Sequence, residues 1–422
     1  MILTEADRAV SAGPARMRAR SIIVIGAGVV GVATAYALAR RGAKVILIDR
    51  AETAGRGTSY ANGAQLSYVY TDALANPALL KRIPALLIGL DPVFRLRPSV
   101  DPAFFGWLLG FLRNASSTRF RSNTIEGLRL GLESRRALHS LLERHPIAFD
   151  HAAPGKLHIH EHPASLAAAR AMAELKGGHG AIQHCLTRAE VVAIEPALAA
   201  RRGAFAGAIY TPDEEVGDPY LFCNAMLAVL RRDYAVDIRL ETNVAAIDGT
   251  ADRAVAICAE GERIEADEIV LCTGIDTMRL LRGTGISAPI LPMKGYSFTA
   301  PAGAAMPKVS ITDVVRKIVF CRLGTKLRVA GLAELGVHDT TIDARRLDQL
   351  RGSSRAVLPD AANYDAAHGG WAGLRPVTPS SLPIIRRARS RISLNVGHGM
   401  LGWTFAMGSA ERVARMILGE DR

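Results

Sequence analysis

The chain has 422 residues, of which 49% are hydrophobic, 22% charged and 5% aromatic. This length and composition are typical of a globular enzyme with two domains, and they exclude a disordered or fibrous chain. The formal net charge is +12, from 52 Lys and Arg against 40 Asp and Glu. A basic protein attracts anions, but the Arg residues are scattered and form no long block. Nucleic acid is therefore the weaker interpretation, and no nucleic-acid partner is predicted.

The cysteine spacing and the apolar runs exclude further classes. The five cysteines form no CxxC pair, which disfavours a disulfide framework, a zinc ribbon or an iron–sulfur cluster and favours a reducing compartment. No run of 18 apolar residues occurs, so no transmembrane helix is predicted. Residues 1–17 lack the apolar core of a secretory signal, and we expect them to form a flexible extension.

The first elements in the chain form a βαβ unit around a glycine turn. Residues 21–25 are an apolar β-branched run, residues 29–41 have helical periodicity, and residues 44–49 are a second buried strand. The turn between strand and helix has the sequence GAGVVG at residues 26–31, which matches the dinucleotide-binding fingerprint. Its glycines let the backbone approach a pyrophosphate, and the helix N-terminus supplies free N–H groups and a positive dipole end.

Asp49 lies at the end of the second strand, 18 residues after Gly31. An acid at this place accepts hydrogen bonds from ribose hydroxyls. It also repels a 2′-phosphate, so NADP is disfavoured even though Arg50 is adjacent. The βαβ unit by itself does not separate NAD from FAD.

The predicted secondary structure changes several times along the rest of the chain. Residues 79–150 are mostly helical in pattern, and short strands follow from Lys156. Asp218 and Pro219 predict the N-cap and first residue of a helix that runs to about Tyr234. The later segments are predicted as strands and turns at 238–270, antiparallel strands at 289–335, and a glycine turn followed by a helix from Gly397 to the end.

Four segments resemble one known family. The sequence TSYANGAQLS at 58–67 resembles the flavin-cradling loop of the D-amino-acid oxidase superfamily, and more narrowly that of bacterial D-amino-acid dehydrogenases. The sequences PMKGYS at 292–297, GLRPVTP at 373–379 and NVGHGMLGWT at 395–404 resemble the same family in the same order. The likeness covers nearly the whole chain. One departure is Arg386, which stands where the family usually has a glycine near the flavin.

The resemblance implies an α/β fold, with a Rossmann-like FAD-binding domain of the glutathione-reductase type and an inserted mixed-sheet substrate-binding domain, as in D-amino-acid oxidases. We expect the FAD-binding domain to be discontinuous, because cofactor-type segments lie at both ends of the chain and around Cys272. Its predicted pieces are residues 18–78, 215–283 and 371–422, and the substrate-binding domain is predicted at residues 79–214 and 284–370.

The resemblance also implies non-covalent FAD. Small residues around Asn62 and Gly63 let the chain pass close to the isoalloxazine ring, and the glycines before the last helix suit backbone N–H groups that face the flavin pyrimidine. The turn Cys272-Thr273-Gly274 resembles the second FAD-contacting turn of related flavoproteins. The predicted cofactor-binding residues are Gly26, Gly28, Val30, Gly31, Asp49, Arg50, Thr58, Ser59, Asn62, Gly63, Gln65, Leu66, Val244, Thr273, Gly274, Gly397, Gly399, Leu401, Gly402, Trp403 and Thr404.

Arg375 is the predicted substrate anchor. A guanidinium group binds a carboxylate through two parallel hydrogen bonds, which sets both position and orientation. In the superfamily, the Arg of this Gly-Leu-Arg-Pro motif binds the substrate carboxylate. Tyr296 and His398 are predicted to bound the pocket or bond the amino acid, with a purely structural role as the equal alternative. Lys294 is expected on a solvated face.

Other polar groups are predicted to be structural. His158, His160 and His162 alternate along a strand, and an exposed strand edge is favoured over a metal site, so no metal is predicted. The acidic run at 213–215 and Asp218 are expected to serve as turn and capping residues.

Two apolar stretches, at 85–90 and 104–112, are flanked by arginines. Such segments suit helices that lie in an anionic membrane surface, and core packing beneath a lid is the alternative. Related dehydrogenases deliver electrons to membrane quinone. We therefore expect a cytoplasmic protein, with peripheral contact to the inner face of a bacterial inner membrane as a further possibility. The oligomeric state is not predicted.

The predicted reaction is oxidative deamination. Hydride leaves Cα of a D-amino acid for flavin N5, and the imine is hydrolysed to a 2-oxo acid and ammonia, with quinone or another acceptor taking the electrons. Three alternatives stay open: a dehydrogenase specialised for D-proline or cis-4-hydroxy-D-proline, a sarcosine/glycine-type amine oxidase that uses O2, and a non-catalytic nucleotide-binding or nucleic-acid-associated protein.

Overall fold

The computed structural model describes residues 19–80, 91, 93–250 and 252–419. The helices are α1 Val29–Ala39, α2 Pro77–Leu80, α3 Pro102–Asn114, α4 Ser117–Arg144, α5 Pro163–Gly177, α6 Arg188–Ile194, α7 Pro219–Tyr234, α8 Thr277–Leu280, α9 Ala344–Val357 and α10 Gly402–Leu418. Short 3-10 turns lie at Pro196–Ala200, Gly274–Asp276 and Gly399–Leu401.

The strands are β1 Ser21–Ile25, β2 Lys44–Ile48, β3 Gln65–Leu66, β4 Phe94–Leu96, β5 Lys156–His160, β6 His184–Thr187, β7 Gly207–Thr211, β8 Glu215–Val216, β9 Asp237–Arg239, β10 Val244–Gly249, β11 Ala254–Cys258, β12 Arg263–Ala266, β13 Glu268–Leu271, β14 Leu291–Pro301, β15 Ser310–Asp313, β16 Ile318–Leu323, β17 Lys326–Leu335, β18 His368–Val377, β19 Ile384–Arg389 and β20 Ile392–Val396. They form two large sheets and two small ones.

The apolar run at the start of the chain becomes the centre of a six-stranded sheet with the order β19-β20-β13-β1-β2-β9. Its neighbours are parallel except for β19 and β20. Ile22 and Val24 pack into a core with α1 and α10, while Ile23 and Ile25 pack against the antiparallel sheet β10-β11-β12. Both faces of β1 are therefore buried, which explains why the strand is a continuous apolar run and not an alternating one.

The second large sheet has nine strands in the order β18-β14-β17-β16-β15-β5-β7-β6, with β4 paired to β17. It is antiparallel apart from the β15–β5 and β17–β4 pairs. Its own core includes residues of α9. The two sheets and their separate cores give the mixed α/β architecture that the sequence predicted, and the fold class is confirmed.

Several local predictions can be compared with the structure. Asp218 caps α7 as predicted, because its carboxylate accepts from the backbone N–H groups of Tyr220 and Leu221. The antiparallel strands predicted within 289–335 are present as β14, β16 and β17, but β15 is also parallel to β5. The extension at 1–17 and the apolar stretch at 85–90 lie outside the described residues, and the predicted domain bounds stay a prediction. Among the described helices, none is both long and apolar enough to cross a membrane.

The exposed strand edge expected for the histidines is wrong. β5 lies inside the nine-stranded sheet between β15 and β7, so His158 and His160 are 1% and 6% exposed. His162 lies beyond the end of β5, at the N-cap of α5. The alternation of polar residues predicts a solvated face. This face of the strand is instead turned inward and is covered by the chain around Tyr70, whose ring stacks on His158.

The solvated position expected for Lys294 is also wrong. Its side chain is buried, and Nζ donates to Oδ1 of Asp339 over 3.0 Å and to the carbonyl of Thr341 over 2.5 Å. Lys294 therefore holds the segment that follows β17 against β14. The physical reason is tertiary, because both partners lie more than 40 residues away in sequence.

Glu214 and Glu215 do not serve only as turn residues, because both carboxylates are buried. Glu215 accepts hydrogen bonds from Tyr68, His139 and His151 over 2.8, 2.5 and 2.9 Å. Burial opposes ionisation of Glu215, but these hydrogen bonds outweigh it and hold the pKa of the carboxyl below its usual value. Since β8 pairs with β3, this network joins α4 to residues 58–67.

We expect Glu215→Gln to lower the free energy of unfolding by about 1.5–3 kcal/mol at pH 7, because hydrogen bonds to a charged group are lost. A carboxyl with a lowered pKa in the folded state contributes stability at neutral pH, and that contribution is lost as the pH falls through the folded pKa. The difference between parent and variant should therefore shrink below about pH 4.5. Urea unfolding across this pH range measures it.

Glu262→Gln is the matched control, because Glu262 is largely exposed and forms a surface ion pair with Arg239. It should change stability by no more than about 0.5 kcal/mol. A difference for Glu215→Gln that is independent of pH would contradict the role of the buried charge.

Candidate active site

The glycine turn after β1 packs against the turn after β13. Gly26 has a φ of +101°, and a Cβ atom there would lie 2.7 Å from the carbonyl oxygen of Cys272. A Cβ atom at Gly31 would lie 1.6 Å from the carbonyl oxygen of Gly26. Gly28 is the N-cap of α1 and has no side chain, and the N–H of Val29 donates to Oγ of Ser59 over 3.2 Å. The other N–H groups of this first turn are placed to receive an anion such as a pyrophosphate.

Asp49 lies beside this turn at the end of β2. Its Oδ2 accepts from the N–H of Ala27 over 2.6 Å, and its Oδ1 accepts from the N–H of Ala51 over 2.9 Å. Each carboxylate oxygen has a second lone pair, so acceptor capacity for ribose hydroxyls is left. Arg50 is paired with Asp276 over 2.7 Å at the exposed rim, which occupies its guanidinium.

Residues 58–67 lie against the nine-stranded sheet. Oγ1 of Thr58 donates to the carbonyl of Leu374 on β18 over 2.7 Å. A Cβ atom at Gly63 would lie 2.8 Å from Cγ2 of Val319 on β16. The absence of a side chain at Gly63 therefore lets the segment pass close to the nine-stranded sheet.

The C-terminal glycine turn leads into α10. Gly397 and Gly399 have φ values of +76° and +55°, and a Cβ atom at Gly397 would lie 2.6 Å from Cγ2 of Thr378. In the first turn of α10, Nε1 of Trp403 donates to the carbonyl of Gly217 over 3.1 Å. No side chain caps the start of α10, so this second helix N-terminus can also offer N–H groups to a ligand.

These segments surround one continuous cavity of about 1230 Å³. Ordinary small-molecule pockets have about 300–1,000 Å³, so this cavity has room for more than one small ligand. The predicted site residues that line it are Gly26, Gly28, Val30, Asp49, Arg50, Thr58, Ser59, Asn62, Gly63, Gln65, Val244, Thr273, Gly274, Tyr296, Arg375, His398, Gly399, Leu401, Gly402 and Trp403.

Four predicted residues lie behind the cavity wall. Gly31 packs on the preceding turn, Leu66 is buried in the core, and Gly397 shapes the turn before α10. Thr404 accepts a hydrogen bond from the N–H of Ser67 over 2.8 Å. These residues support the residues that face the cavity.

The guanidinium group of Arg375 lies in the cavity wall, and the protein compensates little of its positive charge. Nη1 donates to the carbonyl of Leu332 over 3.2 Å, and no carboxylate within the described ranges forms an ion pair with it. A Cβ atom at Gly295 would lie 2.3 Å from Nη2, so only a glycine there lets the side chain lie across β14. Burial lowers the pKa of Arg375 to about 10, and the group stays charged at pH 7. An anionic ligand would offset the cost of burying this charge.

Tyr296 and His398 line the same cavity but already have protein partners. The hydroxyl of Tyr296 donates to Oε2 of Glu334 over 3.2 Å, and burial raises the pKa of the phenol. Nε2 of His398 lies 3.0 Å from Oγ of Ser409, and burial lowers the pKa of this histidine to about 3. Both side chains are therefore neutral at pH 7.

Lys156 and Tyr70 line the cavity but were not predicted to be part of the site. The available signal was the polar alternation along β5, which puts Lys156 and His158 on one face. That signal cannot separate a solvated face from a face that is turned into a cavity. Arg386, the departure from the family pattern, is exposed on β19, where it donates to the carbonyl of Ser287 over 2.7 Å.

Comparison with known proteins gives a consistent result. A family model described as FAD dependent oxidoreductase matches residues 21–416. The D-amino acid dehydrogenase 2 of Ralstonia nicotianae is 40% identical over 409 residues, which cover 94% of this chain and 96% of that protein. The D-amino acid dehydrogenase of Paramagnetospirillum magneticum is 40% identical over 402 residues, with 94% and 95% covered.

Solved structures share the fold at lower identity. Glycine oxidase from Geobacillus kaustophilus has a TM-score of 0.74 at 19% identity and covers 96% of both chains. L-proline dehydrogenase from P. horikoshii has a TM-score of 0.74 at 18% identity, with 96% of this chain and 94% of that chain covered.

The cavity suits an FAD molecule on its own chemistry. Two helix N-termini face it, glycines permit close backbone approach along its length, and an acid stands where ribose hydroxyls need an acceptor. The family match spans nearly the whole chain. This protein belongs to the FAD dependent oxidoreductase family.

Proposed function

We propose that this chain oxidises D-amino acids to 2-oxo acids and ammonia. The observation that carries the proposal is the guanidinium group of Arg375, which lies in the cavity that suits FAD and has no carboxylate partner among the described residues. When bound, FAD supplies the acceptor for the hydride that leaves Cα, and water hydrolyses the released imine. The names of the relatives at about 40% identity support D-amino acids as the substrate class.

Arg375 binds the substrate carboxylate in this proposal. A fork of two charge-assisted hydrogen bonds orients the amino acid and holds its Cα–H toward the cofactor. The carbonyl of Leu332 occupies one donor of the guanidinium and thereby limits its rotation. Tyr296 and His398 bound the pocket as neutral side chains, so neither acts as a charged base, and an amine that binds neutral requires none.

The other predicted residues receive their roles by the same reasoning. The turn at 26–31 binds the pyrophosphate, Asp49 binds a ribose, and residues 58–67 and 395–404 bind the isoalloxazine ring, all without a covalent bond. We also propose the division into an FAD-binding domain at 18–78, 215–283 and 371–422 and a substrate-binding domain in the remaining described residues.

We expect Arg375→Leu to retain FAD but to lower kcat/KM for D-amino acids by about 10²–10³-fold, because two charge-assisted hydrogen bonds are worth about 3–4 kcal/mol. Arg375→Lys should be intermediate, since it keeps the charge and loses the planar fork. Steady-state kinetics with a dye acceptor and the flavin absorbance measure both effects. Arg386→Leu, on the exposed part of β19, is the control. Unchanged kinetics of Arg375→Leu would exclude the anchor role.

The electron acceptor is proposed to be a quinone and not O2. When D-amino acids are added without oxygen, the yellow colour should bleach, and it should return on addition of a soluble quinone. In air, hydrogen peroxide should form at a small fraction of the quinone-dependent rate. Stoichiometric peroxide would indicate an oxidase instead. A substrate panel that includes D-proline, cis-4-hydroxy-D-proline, glycine and sarcosine separates the remaining alternatives in the same assay.

Peripheral contact with a membrane surface is part of the proposal. Helix α3 buries Phe104, Trp107 and Phe111, and Nε1 of Trp107 donates to the carbonyl of Val377 on the strand that carries Arg375. The opposite side of α3 exposes three large apolar side chains, which are Phe105, Leu109 and Leu112. Apolar groups beside arginines suit the interface of an anionic bilayer, which is where quinone is available.

We expect the triple variant Phe105→Ser/Leu109→Ser/Leu112→Ser to bind vesicles of phosphatidylglycerol and phosphatidylcholine at least about tenfold more weakly, because the buried apolar area is lost. Activity with a water-soluble dye should be unchanged. Ile182→Ser, at an exposed apolar residue outside α3, is the control. Co-sedimentation with vesicles measures binding, and equal binding of parent and triple variant would contradict membrane contact through α3.

A further inference from the structure

Lys156 is a buried ammonium group in the wall of the cavity. It begins β5 inside the nine-stranded sheet, opposite Ser310 of β15 and Thr211 of β7. The residue is only 2% exposed, and it lines the cavity. The transfer of an ammonium group out of water is costly unless the protein or a ligand compensates its charge. The partners of Lys156 therefore show whether the protein itself compensates this charge.

The protein compensates Lys156 only in part. Nζ donates to Oγ of Ser67 over 2.6 Å and lies 5.2 Å from the centroid of the Tyr70 ring. An ammonium group has three donors, and no further acceptor for Nζ occurs in the part of the chain that the structure describes. The carboxylate of Glu214 attracts it without forming an ion pair. Burial lowers the pKa of Lys156 to about 8, so the group is mostly charged at pH 7.

The hydrogen bonds around Lys156 place its charge at the end of the segment 58–67 and beside α10. The N–H of Ser67 donates to Oγ1 of Thr404 in the first turn of α10. On the neighbouring strand β15, Oγ of Ser310 accepts from Nε2 of Gln65 over 2.7 Å. The uncapped N-terminus of α10 adds the positive end of a helix dipole. A cation and a helix N-terminus thus border the same part of the cavity.

We propose that Lys156 supplies a positive charge to the pyrimidine side of the bound flavin ring and stabilises the reduced cofactor relative to the oxidised one. The inference rests on the proposed binding of the ring along residues 58–67 and at the start of α10. The ring gains negative charge when it is reduced. A preorganised cation in a site that excludes water favours that state more than it favours the neutral oxidised ring. Lys156 therefore raises the reduction potential of the flavin.

A neighbouring lysine offers a matched control. Lys176 is as buried as Lys156, but its Nζ forms an ion pair with Oδ1 of Asp72 over 2.9 Å and donates to the carbonyl of Val69. The double variant Asp72→Asn/Lys176→Met removes both charges of this pair together. Because the net local charge is unchanged, this variant tests whether any change near the cavity alters the flavin.

The experiment measures the reduction potential of the FAD-loaded enzyme by anaerobic dithionite titration with a reference dye. We expect Lys156→Met to lower the equilibrium constant for flavin reduction at least about tenfold, which is about 30 mV for a two-electron couple. Lys156→Arg should restore it to within about threefold of the parent, and the double variant should also stay within about threefold. If the methionine variant does not fold, Lys156→Gln keeps a donor for Ser67 and serves in its place.

The inference is overturned if the neutral variants retain FAD and keep the parent potential. It is also overturned if they fail to bind oxidised FAD while Lys156→Arg binds it, because the charge would then serve cofactor binding in general. A change confined to the KM for D-amino acids at unchanged potential would assign Lys156 to the substrate instead. No amino acid enters the titration, so a wrong substrate class leaves this result readable, and failure of the inference leaves the proposed reaction standing.

Discussion

The attachment of residues 58–67 to the nine-stranded sheet and to the first turns of α1 and α10 is the constraint on which the cavity depends. Thr58 donates to the carbonyl of Leu374 on β18, and Gln65 donates to Ser310 on β15. The end of the segment bonds to the first turn of α10, and β3 within it pairs with β8. Since these partners belong to different elements, the segment cannot move without breaking several hydrogen bonds at once. Residues 58–67 and β18, the strand that carries Arg375, therefore keep one relative geometry.

This geometry determines where charge is available inside the protein. Within the described residues, Arg375 and Lys156 each present a cation to the cavity with one hydrogen bond to a neutral protein oxygen. The two helix N-termini add partial positive charge at other points along the same cavity. A carboxylate substrate, a pyrophosphate and a reduced flavin ring are all negatively charged. The positive potential of the cavity therefore suits each of them. The overall net charge of +12 agrees with a preference for anions but does not show where in the protein an anion binds.

The glycine turn, Asp49 and the N-cap at Asp218 were predictable because each depends on neighbours in sequence. A strand, a turn and a helix specify one another within about 30 residues, and so does a cap. The wrong predictions concern residues whose surroundings depend on distant parts of the sequence. His158, His160, Lys294 and the glutamates at 214 and 215 were expected to be exposed or local, and all are buried by elements far away in the chain. Alternation along a strand reports which residues share a face, but not what covers that face.

By itself, the amino-acid sequence determined the class of fold, the dinucleotide turn and the identity of the residues that line most of the cavity. Local stereochemistry is enough for the turn, because glycine and acidic residues at set spacings permit few backbone paths. The fold class and most of the cavity residues follow from the resemblance of four segments to one family. Only the tertiary structure decided that Lys156 enters the cavity, that Lys294 is tied to Asp339 and that Arg386 stays outside. These outcomes depend on the pairing order of the strands in both large sheets, and that order is set by packing over the whole chain.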